Sequence, residues 1–482
     1  MNMIIVILNL AFCCLLAQSP AIKWGRTYGG EGDDKFRGVL ECVDKGFVAV
    51  GSTNSFGNGG SDVYILKTDS LGFLEWARTY GGAEDDYGYA LCPAWDSGYI
   101  VVGATNSFGS GLGDVFVLKI NENGDSLWTK TYGGSLEEIG YSISRTVDNN
   151  YLITGTTSSY GAGCTDVYTI KIDTHGDLLW SKTYGGNLDD FGFCVDATND
   201  SGLIVTGTTF SFGNGNGDVY VVKADSLGEI EWTGLYGTTL NETGLCVQQT
   251  TDSGYIICGS AGDVLLGYEW CLLRYNRNGS LIWHTFQGSL SDDFAYSVQE
   301  INEKNYIIAG NFAYEMYVVR TDSAGYNRWM LLYGGAGTDC AYSLKQTSDF
   351  GYIIAGITNS YGAGGYDAYL VRTATDEVAI QDISSDTISS QTKILEAFPS
   401  PFSDKLMITY RAPKSNIIPA VKIYDVMARL VQQIESSGPN NTTTYKYLWD
   451  GSDFSGNPIS RGIYYVVVPS DKGYITKKVI RH

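Results

Sequence analysis

Residues 85–132 run through four short stretches rich in aromatic and β-branched side chains: Tyr87 to Ala94, Tyr99 to Thr105, Asp114 to Ile120 and Ser126 to Tyr132. Each is bounded by Gly, Asn, Asp or Ser, a pattern that predicts strands and not helices. Asp96-Ser-Gly98 and Asn121-Glu-Asn-Gly124 have the chemistry of tight hairpin turns, so the first stretch pairs with the second and the third with the fourth. Two longer connections remain. Asn106-Ser-Phe-Gly-Ser-Gly-Leu-Gly113 joins the second and third stretches, and Gly133-Gly-Ser-Leu-Glu-Glu138 leads onward.

The unit recurs. Trp24, Trp76, Trp128, Trp180, Trp232, Trp283 and Trp329 are spaced by 52, 52, 52, 52, 51 and 46 residues. Seven units of four antiparallel strands predict an all-β fold, a seven-bladed β-propeller over residues 22–373. Strand triplets begin near Phe36, Tyr87, Ile139, Phe191, Gly244, Phe294 and Ala341, and the last triplet has no Trp strand after it. Ile22 to Tyr28 is such a strand with no triplet before it. The expectation is that it closes the last blade, since six or eight blades would leave an unpaired edge.

These repeats resemble a family of bacterial propeller repeats built on Trp, Tyr-Gly-Gly, Asp-Asp and Gly-x-Thr. The likeness rests on Tyr80-Gly81-Gly82, Asp85-Asp86, Gly103-Ala-Thr105 and Ser107-Phe-Gly109 and their counterparts. It implies a secreted propeller and specifies no ligand. Units five and six depart from the pattern: Gly259-Ser-Ala-Gly lacks the Ser-aromatic-Gly loop, and Gly310-Asn-Phe-Ala-Tyr314 shortens it.

Charge and the two ends add a destination. Residues 1–18 are almost wholly apolar and read as a signal peptide, and no later run is long and apolar enough for a membrane span in the mature chain. Residues 1–392 carry 20 Lys+Arg against 46 Asp+Glu, while residues 393–482 carry 12 against 7. So acidic a body repels nucleic acid and anionic membranes. The repeat pattern stops after Arg372. Residues 374–393, rich in Ser, Thr and Asp, read as a linker. Residues 394–482 hold Phe398-Pro-Ser-Pro-Phe402, Val421-Lys-Ile-Tyr-Asp425, Leu448-Trp-Asp-Gly451, Gly462-Ile-Tyr-Tyr465 and Lys477-Lys-Val-Ile480, short strands of a small sandwich. This ordered set resembles the type A sorting domain of type IX secretion, an immunoglobulin-like module, with Ser400 where the family usually has Asn. The resemblance implies the type IX machinery as partner, Lys477 and Lys478 in the terminal signal strand, and the outer surface of a Gram-negative cell, or the medium, as destination.

Candidate chemistry gathers on one face. The acidic pairs Asp33-Asp34, Asp85-Asp86, Glu137-Glu138, Asp189-Asp190 and Asp292-Asp293 share one point of the repeat with Asn241-Glu242 and Thr338-Asp339. Up-down blades put them on the face of the long loops, beside Phe56, Phe108, Tyr160, Phe212 and Tyr361. These acids read first as acceptors for loop N–H groups. Calcium is the alternative, though no Asp-x-Asp-x-Asp-Gly run provides a cage. Eight cysteines follow the leader without C-x-x-C spacing, and a Cys258–Cys271 disulfide is conceivable. With only His175, His284 and His482 available, catalysis has little footing. The expected function is a binding or adhesion module for an extracellular protein or carbohydrate, with no cofactor; a hydrolase or oxidoreductase on the same scaffold is the alternative. The irregular sector of units five and six singles out Asp292, Asp293, Phe312 and Tyr314 as the ligand site.

Overall fold

The computed structural model describes residues 19–376 apart from 264–266, 290 and 302–303. In the C-terminal region it describes 394–398, 402, 405–411, 421–425, 430–434, 444–454, 456–470 and 473–481. The leader, most of the linker and Pro399-Ser400-Pro401 lie outside the described residues. Two compact units form, one spanning Pro20–Thr375 and one holding the strands from Ile394 to Arg481.

The first unit is seven four-stranded antiparallel sheets. In blade 2, Asp86–Pro93 pairs with Tyr99–Thr105, which pairs with Asp114–Ile120, which pairs with Ser126–Tyr132. The seventh sheet takes its outermost strand from the other end of the chain: Ile22–Tyr28 pairs with Asp367–Thr373, Trp24 opposite Arg372 and Tyr28 opposite Ala368. The two middle strands of blade 2 are buried at every position. They read as near-continuous apolar runs because neighbouring blades cover both sheet faces. The fourth strand, at the rim, has no fully buried residue.

The cores lie between blades. Ile100, Val102, Val115 and Val117 of blade 2 pack on Tyr151, Ile153, Tyr168 and Ile170 of blade 3. Burying one such side chain stabilises by about 1.5–3 kcal/mol. Six of the seven interfaces hold clusters of eight to twelve buried residues, so the ring is held by its interfaces.

Four of the seven interfaces are also stapled at the rim by a Trp or Tyr of the outer strand. The Trp180 indole N–H donates to the Ser226 carbonyl of the next blade at 3.2 Å, and Tyr184 Oη donates to the Gly228 carbonyl at 2.9 Å. Trp24 and Tyr28 do the same to Ser70 and Gly72.

The first strand of every blade breaks register once, between Phe36 and Gly38, Gly88 and Ala90, Gly140 and Ser142, and at the equivalent points of blades 4 to 7. This is a β-bulge, whose extra residue is left out of the ladder. The seven extra residues are Arg37, Tyr89, Tyr141, Phe193, Leu245, Tyr296 and Tyr342. Further along the same strands, side chains bridge to the backbone of the next blade: Gln249 N–H donates to Asp196 Oδ2 at 2.9 Å, Glu300 N–H to Gln248 Oε1 at 2.6 Å, and Gln346 N–H to Gln299 Oε1 at 2.9 Å.

On the short-turn face, a cation of each third strand is buried beneath its blade. Lys67, Lys171, Lys223 and Arg274 pair with turn carboxylates Asp44 at 2.5 Å, Asp148 at 2.8 Å, Asp200 at 3.1 Å and Asp252 at 2.5 Å, and Lys119 and Arg372 pair with Asp96 and Asp349. This face is plain in sequence, yet it carries the ring's buried ion pairs.

The C-terminal unit is a three-stranded and a four-stranded sheet around one core. Trp449 is fully buried there, its ring 5.3 Å from Phe402 and 5.7 Å from Tyr464.

Candidate ligand face and channel mouth

On the long-loop face the second acid of every pair is fully buried: Asp34, Asp86, Glu138, Asp190, Glu242, Asp293 and Asp339. Asp190 shows their work. Its Oδ2 accepts Gly186 N–H at 2.7 Å and Ser211 Oγ–H at 2.6 Å, tying the connection between blades to the loop of its own blade. A second buried acid stands at the head of each regular third strand. Asp166 accepts Ala162 and Gly163 N–H groups at 2.9 and 3.0 Å.

Gly185 threads between these two carboxylates, where a Cβ would stand 2.0 Å from Asp166 Oδ1 and 2.7 Å from Asp190 Oδ2. Only glycine fits so close an approach. Burial pushes the Asp166 carboxyl up; the Gly163 and Ala162 N–H groups oppose this, and the charges of Asp190 and Asp189 add to it. The acids thus act as acceptors for loop N–H groups. Among the described residues, no three His, Cys, Asp or Glu side chains are placed to hold a metal ion.

The loop aromatics are staples that remain half-exposed. Tyr160 Oη donates to Gly133 O at 2.9 Å and its ring lies 5.8 Å from Tyr168; Phe108 lies 6.4 Å from Phe116.

Blades 5 and 6 break this regularity. In blade 5 the second and third strands, Tyr255–Asp263 and Gly267–Tyr275, run to nine residues, two longer than in blade 2. In blade 6 the long loop is reduced to Ala313-Tyr314, both at positive φ (51° and 70°), between Phe312 and Glu315, which pair directly. Asp293 is fully buried and accepts Ala313 N–H at 2.8 Å, so it holds this turn from below. Phe312 packs inward, 6.5 Å from Tyr317. Asp292 and Tyr314 are exposed, Asp292 accepting Tyr268 N–H at 3.1 Å. The four residues share one sector: two present surface and two support it.

Sequence reasoning missed the channel. The bulge residues of the first strands meet blade to blade: Tyr89 and Tyr141 rings are 5.1 Å apart, Tyr141 and Phe193 5.5 Å, Tyr296 and Tyr342 5.0 Å, and the Arg37 guanidinium carbon is 3.8 Å from the Tyr342 ring centre. They form a collar around the central axis. Two residues earlier, nearer the long-loop face, Tyr87, Phe191 and Phe294 stack on their collar rings at 6.3, 6.3 and 5.8 Å. The signal was available in the recurrence of an aromatic three places after the buried acid, with Arg37 and Leu245 out of line.

The remaining candidate chemistry is dispersed. His284 lies 5.2 Å from both Tyr236 and Phe286, and His175 sits exposed on a turn. Cys258 and Cys271 are free thiols offset by one position, Cys258 opposite Leu272 and Cys271 opposite Gly259. Among the described residues no helix is long and apolar enough to cross a membrane. In the C-terminal unit Lys477 and Lys478 lie on the last strand, opposite Val466 and Tyr465, and Lys477 is exposed.

The family described as the secretion system C-terminal sorting domain matches residues 396–482. The tail is a type IX sorting domain. It addresses the chain to the surface of a Gram-negative cell, and the strand of Lys477 and Lys478 is the sorting domain's last. Elsewhere the likenesses are distant. A stretch of 93 residues is 34% identical to the regulatory protein FlaEY of Caulobacter vibrioides, covering 17% of this chain and 10% of that protein. The chain thus spans a tenth of this curated relative. Among solved structures it is similar to PorZ, a surface component of the type IX secretion system of Porphyromonas gingivalis (13% identity, 94% of this chain and 60% of that one, TM-score 0.46). It is also similar to YCF48 bound to D1 peptide (9% identity, 76% and 99%, TM-score 0.45) and to polysaccharide lyase Uly1 (10% identity, 74% and 92%, TM-score 0.44). The blade count rests on this chain's own strand pairing.

Proposed function

We propose that the chain is a surface-displayed binding propeller of adhesion type, taking an extracellular protein or carbohydrate on its long-loop face. One observation carries the reading: on that face the sevenfold pattern is broken in the sector of blades 5 and 6, where a two-residue turn lifts Tyr314, 59% exposed, beside Asp292. Two adjacent non-glycine residues at positive φ cost on the order of 1–3 kcal/mol each; the turns between first and second strands on the opposite face carry one apiece. A unique sector on a repeated ring gives one partner one place to bind. Asp293 and Phe312 support the site.

The test is a binding screen of the full-length secreted chain against glycans and extracellular proteins. Asp292→Ala with Tyr314→Ala is expected to weaken any partner found tenfold or more, while Asp96→Ala on the opposite face leaves it unchanged. The reverse ranking would sink the assignment of the face.

A further inference from the structure

We infer that the channel mouth on the long-loop face is a carboxylate-binding site, with Arg37 as its anchor. The inference rests on reading that face as the binding face and names what the channel there would take.

Six of the seven collar positions are apolar or phenolic, as a plug between blades requires. Blade 1 places a guanidinium there instead. Arg37 is half-buried, and among the described residues it has no hydrogen-bond or ion-pair partner; its guanidinium lies over the Tyr342 ring at 3.8 Å. Lys67, Lys119, Lys171, Lys223, Arg274 and Arg372, buried beneath the short turns, each have a carboxylate; Arg145, half-buried like Arg37, stacks on the Trp95 ring at 3.5 Å. A half-buried cation without a counter-ion is costly and adds nothing to a plug. A ligand anion would supply the missing partner.

The surroundings suit an oxyanion. Lys35 precedes Arg37 by two residues, the position from which Tyr87, Phe191 and Phe294 stack on their collar rings, so a second cation stands nearer the mouth. Its ammonium is 6.0 Å from the Tyr366 ring and loosely paired with Asp33 at 3.9 Å. The collar hydroxyls of Tyr89, Tyr141 and Tyr296 likewise have no hydrogen-bond partner among the described residues. Burial raises all three phenols, so they remain O–H donors at neutral pH. Asp33, Asp85 and Glu137 are among the acids near the mouth, Asp85 beside Tyr87; none forms an ion pair with Arg37 among the described residues. A planar guanidinium fork ringed by O–H donors matches a carboxylate, which can accept two parallel N–H bonds. The flanking aromatic faces then receive the body of a small ligand.

The probes are glucuronate and N-acetylglycine, with glucose and N-acetylglycinamide as neutral counterparts, titrated calorimetrically into the full-length chain. Both carboxylates, or one of them, are expected to bind and the neutral pair not; the tighter of the two identifies a sugar acid or a chain-terminal carboxylate as the source. Arg37→Leu is expected to weaken binding at least tenfold, and Arg37→Lys by less. Because Arg37→Leu removes an unpaired cation, its melting temperature without ligand is expected to equal or exceed that of the native chain, which separates lost binding from lost folding. Absence of carboxylate binding, equal binding of the neutral pair, or undiminished binding in Arg37→Leu each overturns the proposal. A partner bound through Tyr314 in the screen above would survive any of these outcomes, so the two readings fail separately.

Discussion

Trp180 of blade 3 lies over Gly228 in the outer turn of blade 4: a Cβ added to Gly228 would stand 3.1 Å from Trp180 Cζ3, at a backbone φ of +78°. The same relation joins Trp76 to Gly124 and Trp128 to Gly176. The tryptophan ring and the turn glycine are therefore one device, each explaining the other's place in the repeat. Gly228→Ala is expected to cost about 1–2 kcal/mol, from the left-handed backbone and the tight contact together. Gly456→Ala in the sorting domain, at φ +78° with nothing within 4 Å, should lower the stability of its own unit less. Chemical denaturation of each variant measures both; equal costs would remove the tryptophan contact from the account.

Removing residues 20–30 takes away the outer strand of the seventh sheet, with the Trp24 bond to Ser70 and the Tyr28 bond to Gly72. The strand Asp367–Thr373 becomes an open edge. The truncated chain is expected to melt more than about 5 °C below the full chain and to be cut by protease near Arg372. Unchanged calorimetric melting would show that the ring does not depend on this closure.

The buried cations make the short-turn face acid-sensitive. Burial alone would raise the Asp252 carboxyl, but hydrogen bonds from Thr250, Lys304 and Gly254 and the Arg274 guanidinium outweigh it and hold the carboxyl well below the usual range. Asp349 is held down likewise by Lys23, Thr347 and Arg372. A depressed folded value means stability that is full above the ordinary carboxylate range near pH 4 and is lost as pH falls further. Asp252→Asn is expected to cost about 2 kcal/mol at pH 7, below the loss typical of fully enclosed pairs because its carboxylate is 35% exposed. The gap between variant and native melting temperatures should narrow progressively as pH falls below about 4. A gap constant with pH would contradict the assignment.

Deleting residues 462–482 removes the last two strands of the sorting domain, including Lys477 and Lys478, and leaves the propeller's own contacts in place. A folded truncate is expected to collect in the periplasm, seen by fractionation and blotting. Delivery to the surface at the full-length level would refute the role of those strands.

Much of the fold was legible because it is periodic. The tryptophan recurrence gave the blades, the turn residues separated hairpins from long loops, and the tail motifs gave the sorting domain. The buried half of each acidic pair also followed from loop chemistry, as Asp190 shows. Arg37 was hidden for a physical reason: the collar residues are bulge insertions, so a strict period of two does not separate channel-facing from interface-facing positions along the first strand. The cations beneath the short turns were hidden differently. Lys67 and Lys119 look like ordinary solvent-facing residues until neighbouring blades bury their stems and the turn aspartates reach their ammonium groups.

The way the seventh sheet closes sets how the ring would bear force. The chain leaves the propeller at Thr373, at the end of a strand hydrogen-bonded to Ile22–Tyr28 on one side and to Tyr352–Thr358 on the other. Ala374 N–H, one residue on, still donates to Ala21 O at 2.6 Å. A tug transmitted through a C-terminal tether acts along this central strand. Both flanking ladders are then loaded in shear, and their bonds, lying perpendicular to the strands, share the load instead of opening one at a time. A propeller closed by its own C-terminal strand would offer such a tether a rim strand to peel; this one offers a strand clamped on both sides.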